Sequence, residues 1–90
     1  MQREQTAAMI RLAELMTAGT AVADSSVQAE ADGVYRGVCR FWTPNALAFK
    51  GLGQMYVDDP RFTATYDAIA PGLAAYYRDA MALYADEQLS

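Results

Sequence analysis

A turn between two helices is encoded in Leu52-Gly53-Gln54-Met55-Tyr56-Val57-Asp58-Asp59-Pro60-Arg61-Phe62. Asp59 is placed to cap the second helix, because its carboxylate can accept hydrogen bonds from the free amides at the positive end of the helix dipole. Pro60 suits the first helical position, where a missing N–H costs nothing. The stretch therefore predicts two helices that cross at a steep angle. We expect a pocket in their corner, lined by Met55, Tyr56, Phe62 and Tyr66.

Two helices are predicted before the pair that meets at this turn. The first runs from Glu4 to about Ala18 and is ended by Gly19. Ser25 with Gln28 has the spacing of a capping box and predicts the start of the second. Its apolar face is predicted to be Val27, Ala31, Val34, Val38 and Phe41. The pair Gly33 and Gly37 predicts a notch into which another helix packs.

Three further helix starts coincide with the three prolines. Thr43-Pro44 predicts a third helix, with a buried line of Leu47 or Ala48, Gly51, Leu52, Met55 and Tyr56. Asp59-Pro60 predicts a short fourth helix that carries Phe62, Tyr66 and Ile69. Pro71-Gly72 predicts a fifth, with Leu73, Tyr77, Ala80, Met81 and Tyr84 on its inner face. No segment alternates with period two, so the predicted fold class is all-α with about five helices.

Composition narrows the possible functions. Ninety residues, 53% of them hydrophobic, predict one folded domain over residues 1–90. A net charge of −4 without any Lys/Arg run argues against direct nucleic-acid contact. No apolar run is long enough to span a membrane, and a single cysteine fits a reducing cytoplasm. We therefore expect a cytoplasmic domain with no membrane partner.

Catalytic and metal chemistry is not supported by the residues present. Histidine is absent, which removes the commonest general base, metal ligand and haem ligand. The adjacent Asp58 and Asp59 are typical of a helix cap with a solvated neighbour. Ser25 and Ser26 have no histidine partner to activate them. We therefore predict no enzyme activity, no cofactor and no metal site.

The second half of the chain resembles a known family. The turn stretch, followed by Tyr66-Asp67, Pro71-Gly72-Leu73-Ala74-Ala75-Tyr76 and Arg78-Asp79-Ala80, is similar to the TipAS-type antibiotic-recognition domain. The resemblance covers residues from about 2 to 85 and is strongest after Trp42. That domain forms the C-terminal, effector-binding part of a group of MerR-type transcriptional activators, and it also occurs alone as a drug-sequestering protein. The resemblance implies a small, globin-like helical bundle.

The resemblance also implies a function, which is binding of bulky, partly apolar antibiotics or related lipophilic effectors in a cleft between helices. The DNA-binding part of the regulators has no counterpart in these 90 residues. In the founding member of the family, cysteines capture thiopeptides covalently, but the matching positions here are Pro44 and Gly51. Covalent capture by those residues is therefore not expected. Cys39 lies one helix earlier, where a small buried hydrophobe is the more common role for a cysteine.

Aromatic residues make up 11% of the chain and include six tyrosines. Aromatic side chains at helical spacing usually form core, but a buried tyrosine needs a partner for its hydroxyl, which favours a partly wet cavity. The predicted ligand-binding residues are Tyr35, Phe41, Trp42, Phe49, Met55, Tyr56 and Tyr66. The partner is predicted to be a small antibiotic-like or lipophilic molecule. An alternative is a helical protein-protein interaction module whose apolar groove receives a partner helix, or a second copy of the chain in a homodimer.

Overall fold

In the computed structural model, which describes the backbone of residues 2–89 and the side chains of residues 7–89, the fold is all-helical. Five α-helices follow one another: α1 (Gln2–Thr17), α2 (Ser25–Val38), α3 (Ala46–Asp58), α4 (Pro60–Asp67) and α5 (Leu73–Tyr84). A π-helical turn (Ala85–Leu89) continues α5. The predicted fold class is therefore confirmed.

Helix α5 lies at the centre of the fold and contacts the other four helices. All five residues predicted for its inner face are buried, with exposed fractions between 0% and 7%. The rest of the core comes from Ala74 of α5, from each of the other helices and from the start of the π-helical turn: Met9, Leu12, Ala13, Val27, Ala31, Phe49, Tyr66 and Ala85. No buried charged side chain occurs among the residues whose side chains are described. The core is therefore apolar apart from tyrosine hydroxyls.

The ends of α1 and α4 follow the predicted chemistry. Gly19 adopts a φ of +80°, and its N–H donates to the Met16 carbonyl while that of Thr20 donates to Leu15. This is the Schellman pattern that ends a helix at glycine. The Asp59 side chain accepts from the Arg61 N–H at 2.9 Å, and Pro60 takes the first helical position. The central Asp-Pro turn is therefore as the sequence predicts.

The caps predicted for α2 and α3 are wrong. Asp24, not Ser25, caps α2, because its carboxylate already accepts from both the N–H and the hydroxyl of Ser26. Asn45 caps α3 by accepting from the Ala48 N–H at 2.8 Å, so Pro44 precedes the cap residue and does not occupy the first helical position. Pro71 likewise precedes the cap residue Gly72.

The buried faces of α2 and α3 also differ from the prediction. Helix α2 ends at Val38, so Phe41 lies beyond it and is 84% exposed. A Cβ at Gly33 or Gly37 would meet nothing within 4 Å, so there is no packing notch at either glycine. Helix α3 is turned about its axis relative to the prediction: Phe49 and Gly53 are buried, whereas Leu47, Gly51 and Met55 face solvent. The apolar residues of α3 occur on several faces, so periodicity did not identify the buried one.

Candidate functional site

Four aromatic rings pack together where α3, α4 and α5 meet. They belong to Tyr56 on α3, Phe62 and Tyr66 on α4, and Tyr77 on α5, and we call them the corner cluster. The Tyr56 ring lies 4.9 Å from Tyr66, 5.8 Å from Phe62 and 6.0 Å from Tyr77 between centroids. Tyr66 stacks on Tyr77 at 5.1 Å with 14° between the ring planes. The predicted corner therefore exists, but its rings are packed against one another where the sequence predicts a pocket.

Burial raises the pKa of the three phenols in the corner cluster, so they stay neutral well above the pH at which a free tyrosine ionises. Desolvation raises the pKa of Tyr56 well above its ordinary value, and the neighbouring Tyr66 raises it further. Desolvation also raises the pKa of Tyr66 and, with added contributions from Tyr66 and Glu30, that of Tyr77. Three neutral hydroxyls thus lie within a largely apolar cluster. Such an arrangement can offer hydrogen bonds to a molecule that also covers the rings.

Phe62 forms the exposed edge of the corner cluster. Its side chain is 37% exposed, whereas Tyr66 and Tyr77 are 6% and 4% exposed. Met55, on the neighbouring turn of α3, is 40% exposed. Phe62 is therefore the ring of the cluster most open to solvent, and Tyr66 and Tyr77 are the most buried.

A second aromatic group, which we call the central cluster, contains two other predicted site residues. Tyr35 lies 5.4 Å from Phe49 and 5.6 Å from Tyr84, and Phe49 lies 5.8 Å from Tyr84. Phe49 is fully buried. The Tyr35 hydroxyl interacts with Cys39, a free and half-buried thiol, and this hydrogen bond raises the pKa of Tyr35. These rings join α2, α3 and α5 in the core.

The seven predicted site residues thus fall into four places. Tyr56 and Tyr66 belong to the corner cluster, and Tyr35 and Phe49 belong to the central cluster. Phe41 and Trp42 lie in the link between α2 and α3, where Trp42 is 52% exposed, and Met55 lies on the outer side of α3. The structure brings together pairs of these residues but not all seven around one cleft. Tyr77 was predicted as an inner residue of α5 but not as a ligand-binding residue. Only its contacts with Tyr56 and Tyr66 distinguish it from the other inner residues of that helix.

Two shallow depressions occur on the described surface. The first lies away from both clusters, and the second lies at the margin of the central cluster. One, of about 470 Å³, is lined by α1 and the segment after α4: Ile10, Ala13, Glu14, Thr17, Ala18, Ile69 and Ala70. The other, of about 450 Å³, is more polar and includes Asp32, Tyr84 and Glu87. Neither contains any of the seven predicted residues.

The charged side chains serve local structure. Asp58 accepts from the Gln54 amide at 3.0 Å, and Asp59 pairs with Arg61 at 3.1 Å in addition to capping α4. Ion pairs also join Arg11 to Glu30 and Lys50 to Asp86. Within the part of the chain that the structure describes, no group of three or more His, Cys, Asp or Glu residues is placed to hold a metal ion. Over the same residues, no helix has the length and apolar character needed to cross a membrane.

Comparison with protein families matches residues 1–84 to the TipAS antibiotic-recognition domain. The chain is 41% identical over 86 residues to the HTH-type transcriptional regulator SkgA of Caulobacter vibrioides, which covers 93% of this chain and 34% of that protein. It is 35% identical over 66 residues to the HTH-type transcriptional activator mta of Bacillus subtilis, covering 72% of this chain and 26% of that protein.

A shorter segment of the chain matches a third regulator at higher identity. The HTH-type transcriptional activator TipA of Streptomyces coelicolor is 67% identical over 30 residues, which are 33% of this chain and 12% of that protein. The chain spans about one third of the length of SkgA and less of the other two. No solved structure matches the chain. All three relatives are named as transcriptional regulators, not as enzymes.

Proposed function

This chain belongs to the family of TipAS antibiotic-recognition domains, and on that premise we propose that it binds a bulky, partly apolar small molecule without transforming it. The observation that supports this most directly is the corner cluster. Its three neutral tyrosine hydroxyls are surrounded by rings in a core that holds no buried charge among the described side chains. Ring faces suit an apolar guest, and a few hydroxyls suit its polar groups.

The proposed ligand contacts the corner cluster after displacing Phe62. Of the predicted site residues, Tyr56, Tyr66 and Met55 are in or beside this region. The ligand covers the faces that Phe62 and α4 cover in the present structure, so affinity comes from apolar burial minus the cost of moving them. Trp42 and Phe41 extend the contact surface in this proposal, while Tyr35 and Phe49 support it from the core.

The proposed role follows from the relatives. They are transcriptional regulators of which this chain matches one part. We propose that the chain acts as the effector-binding part of a MerR-type regulator, or as a separate domain that sequesters a drug. Both roles need the same binding event.

Thermal unfolding tests the binding proposal. The chain is melted alone and with members of a panel of hydrophobic antibiotics, thiopeptides included. A ligand at one hundred times its Kd stabilises the folded state by about 2.7 kcal/mol, which raises Tm by on the order of 10 °C in a domain of this size. Phe62→Ala is expected to enlarge that shift, because the ligand no longer has to displace the Phe62 ring. The matched control is Leu47→Ala, since Leu47 is 79% exposed on the outer face of α3.

Two results would count against the proposal. The first is a panel in which no compound moves Tm at concentrations up to its solubility limit. The second is a compound that stabilises wild type and Phe62→Ala equally, which would move the site away from the corner cluster.

A second candidate function is a protein interaction module, favoured by one observation. Phe41, Trp42 and Leu47 are large apolar residues close in sequence, and they are 84%, 52% and 79% exposed. Exposed apolar residues that group together often mark protein contact surfaces. Light scattering over a range of concentrations tests self-association. A wild-type dimer that becomes a monomer in the double variant Phe41→Ser, Leu47→Ser would support an interaction module. A wild type that is monomeric at every concentration would exclude the homodimer.

A further inference from the structure

The Asp-Pro turn leaves the Tyr56 carbonyl of α3 without its helical donor. In a continuing helix the Tyr56 carbonyl would accept from the N–H four residues later, but that residue is Pro60, which has none. The preceding carbonyl, of Met55, is satisfied in the usual way by the Asp59 N–H at 2.9 Å. Tyr56 therefore needs a donor from elsewhere in the fold, because an unpaired carbonyl in a partly buried position is costly.

Thr63 supplies that donor. Its Oγ1 lies 2.8 Å from the Tyr56 carbonyl oxygen and 3.2 Å from that of Asp59. The first contact reaches back across the turn to α3, over seven residues and in a partly buried position. Thr65, in the same helix, makes only the ordinary contact to the carbonyl four residues earlier, that of Arg61, at 2.9 Å and exposed. One threonine of α4 thus joins two helices, and the other joins none.

The helix that Thr63 holds is the one that covers the corner cluster. Helix α4 places Phe62 against Tyr56 and places Tyr66 against both Tyr56 and Tyr77. Its other end is joined to α5 by Asp67, whose carboxylate accepts from the Ala74 N–H at 3.1 Å. Gly72, the cap residue of α5, has no side chain to do so. Separating α4 from α3 would expose the faces of Tyr56 and Tyr66.

We propose that Thr63 is a positioning residue that holds α4 closed over the corner cluster and so sets how readily a lipophilic guest reaches the tyrosine rings. The proposal rests on the proposed function for the identity of the guest, but not for the closure itself. The Thr63 hydroxyl bonds to the backbone of Tyr56, which is one of the rings being covered. Breaking this contact and uncovering the ring are therefore parts of one movement.

The closure is tested first without any ligand. Thr63→Val keeps the shape and removes the hydroxyl, Thr63→Ser keeps the hydroxyl, and Thr65→Val is the matched control in the same helix. Backbone hydrogen exchange at residues 64–67 is expected to be about fivefold faster in Thr63→Val, since loss of one net hydrogen bond shifts a local opening equilibrium by about that factor. Thr63→Ser and Thr65→Val are expected to exchange within twofold of wild type. Equal exchange in Thr63→Val and Thr65→Val would overturn the closure.

Access to the cluster is tested with Nile red, a neutral lipophilic dye. At a temperature where every variant is fully folded, stopped-flow fluorescence should give an association rate about fivefold higher for Thr63→Val than for wild type, and Thr63→Ser should restore the lower rate. A purely structural role would lower Tm and leave the association rate unchanged. That outcome, with normal exchange at residues 64–67, would refute the proposal.

The two proposals fail in different ways. If neither Nile red nor any antibiotic binds wild type, the proposed function fails, and the hydrogen-exchange comparison alone decides whether Thr63 holds α4. If ligands bind but Thr63→Val changes neither exchange nor association rate, binding stands and Thr63 has no part in controlling it.

Discussion

At the scale of single residues, Gly53 allows α3 to approach α5 closely. A Cβ at this position would lie 3.3 Å from the Arg78 Cα and 3.4 Å from the Met81 Cβ. The first of these neighbours is backbone and cannot turn aside. A Cβ at Gly51, two residues earlier on the same helix, would meet nothing within 4 Å. The same substitution at the two glycines should therefore have opposite effects.

We predict that Gly53→Ala destabilises the fold by about 1–3 kcal/mol, because α3 and α5 must move apart. Gly51→Ala should stabilise it by up to about 1 kcal/mol, since alanine favours a helix over glycine where space is free. Urea unfolding monitored by circular dichroism measures both. Shifts in the same direction for the two variants would contradict the packing described here.

The contact between Tyr84 and Asp32 predicts how stability depends on pH. The Tyr84 hydroxyl donates to Asp32 Oδ1 at 2.5 Å, and Arg36 pairs with Oδ2 at 2.6 Å. The Tyr84 hydrogen bond is the main cause that holds the pKa of Asp32 below its ordinary value, with Arg36 adding to it and burial opposing it. A carboxyl with a lowered pKa stabilises the fold above the unfolded pKa of about 4, and this contribution is lost as pH falls through the folded pKa.

The same contact acts in the opposite sense at high pH. Burial, followed by the hydrogen bond to Asp32, raises the pKa of Tyr84 to about 12. A phenol with a raised pKa costs stability as pH rises from about 10, its unfolded value, towards the folded value. We predict that Tyr84→Phe flattens the loss of stability on both the acid and the alkaline side, measured as Tm against pH.

Tyr76→Phe is the control for the acid side. The Tyr76 hydroxyl donates to the Thr20 backbone carbonyl at 2.7 Å, not to a carboxylate. Its removal should leave the acid limb of the Tm curve as in wild type. An acid limb that Tyr84→Phe also leaves unchanged would mean that Asp32 gains nothing from the tyrosine.

At the scale of helices, the sequence predicts an element well where one chemical signal acts alone. In helix α5 only Arg78 and Asp79 are charged, and they lie opposite the buried face, so all five inner residues were predicted correctly. At the start of α4, Pro60 suits the first helical position and so makes the residue before it, Asp59, the cap. Helix α3 carries Leu47, Phe49, Leu52, Met55 and Tyr56 on several faces, and what selects Phe49 is the missing Cβ of Gly53 beside α5. That selection depends on a tertiary contact and is not visible in the periodicity.

The N-terminus of α2 shows the same limit for caps, since Asp24, Ser25 and Ser26 are all residues that favour this position. Asp24 is the cap in the structure because its carboxylate accepts from the Ser26 N–H. The Gln28 side chain donates to the carbonyls of Val22 and Ala80, so it cannot complete a capping box with Ser25.

We predict that Asp24→Ala lowers Tm by on the order of 5 °C and that Ser25→Ala leaves it within about 1 °C. The reverse order in a thermal melt would restore Ser25 as the cap.

At the scale of the whole molecule, α5 connects the two aromatic clusters. Tyr77 belongs to the corner cluster and Tyr84 to the central cluster, and the two lie seven residues apart, on the same face of the helix. Four of the predicted site residues divided between the two clusters, and three lie outside both, because aromatic content alone does not show which rings share a neighbour. Sequence reasoning thus found the aromatic residues and the turn, whereas their grouping depends on how α5 lies between the other helices.

Trp42 lies outside both clusters and gives a test of whether the ligand surface extends beyond the corner. Because nearly half of its large side chain is buried, Trp42→Ala should lower the free energy of unfolding by about 1–3 kcal/mol. If Trp42 contacts the ligand, the same substitution should weaken binding by about tenfold, measured with a compound identified from the thermal melts. Phe41→Ala, at the neighbouring and more exposed position, separates a contact specific to Trp42 from a general loss of apolar surface. Binding by Trp42→Ala within twofold of wild type would mean that the ligand surface ends at the corner cluster.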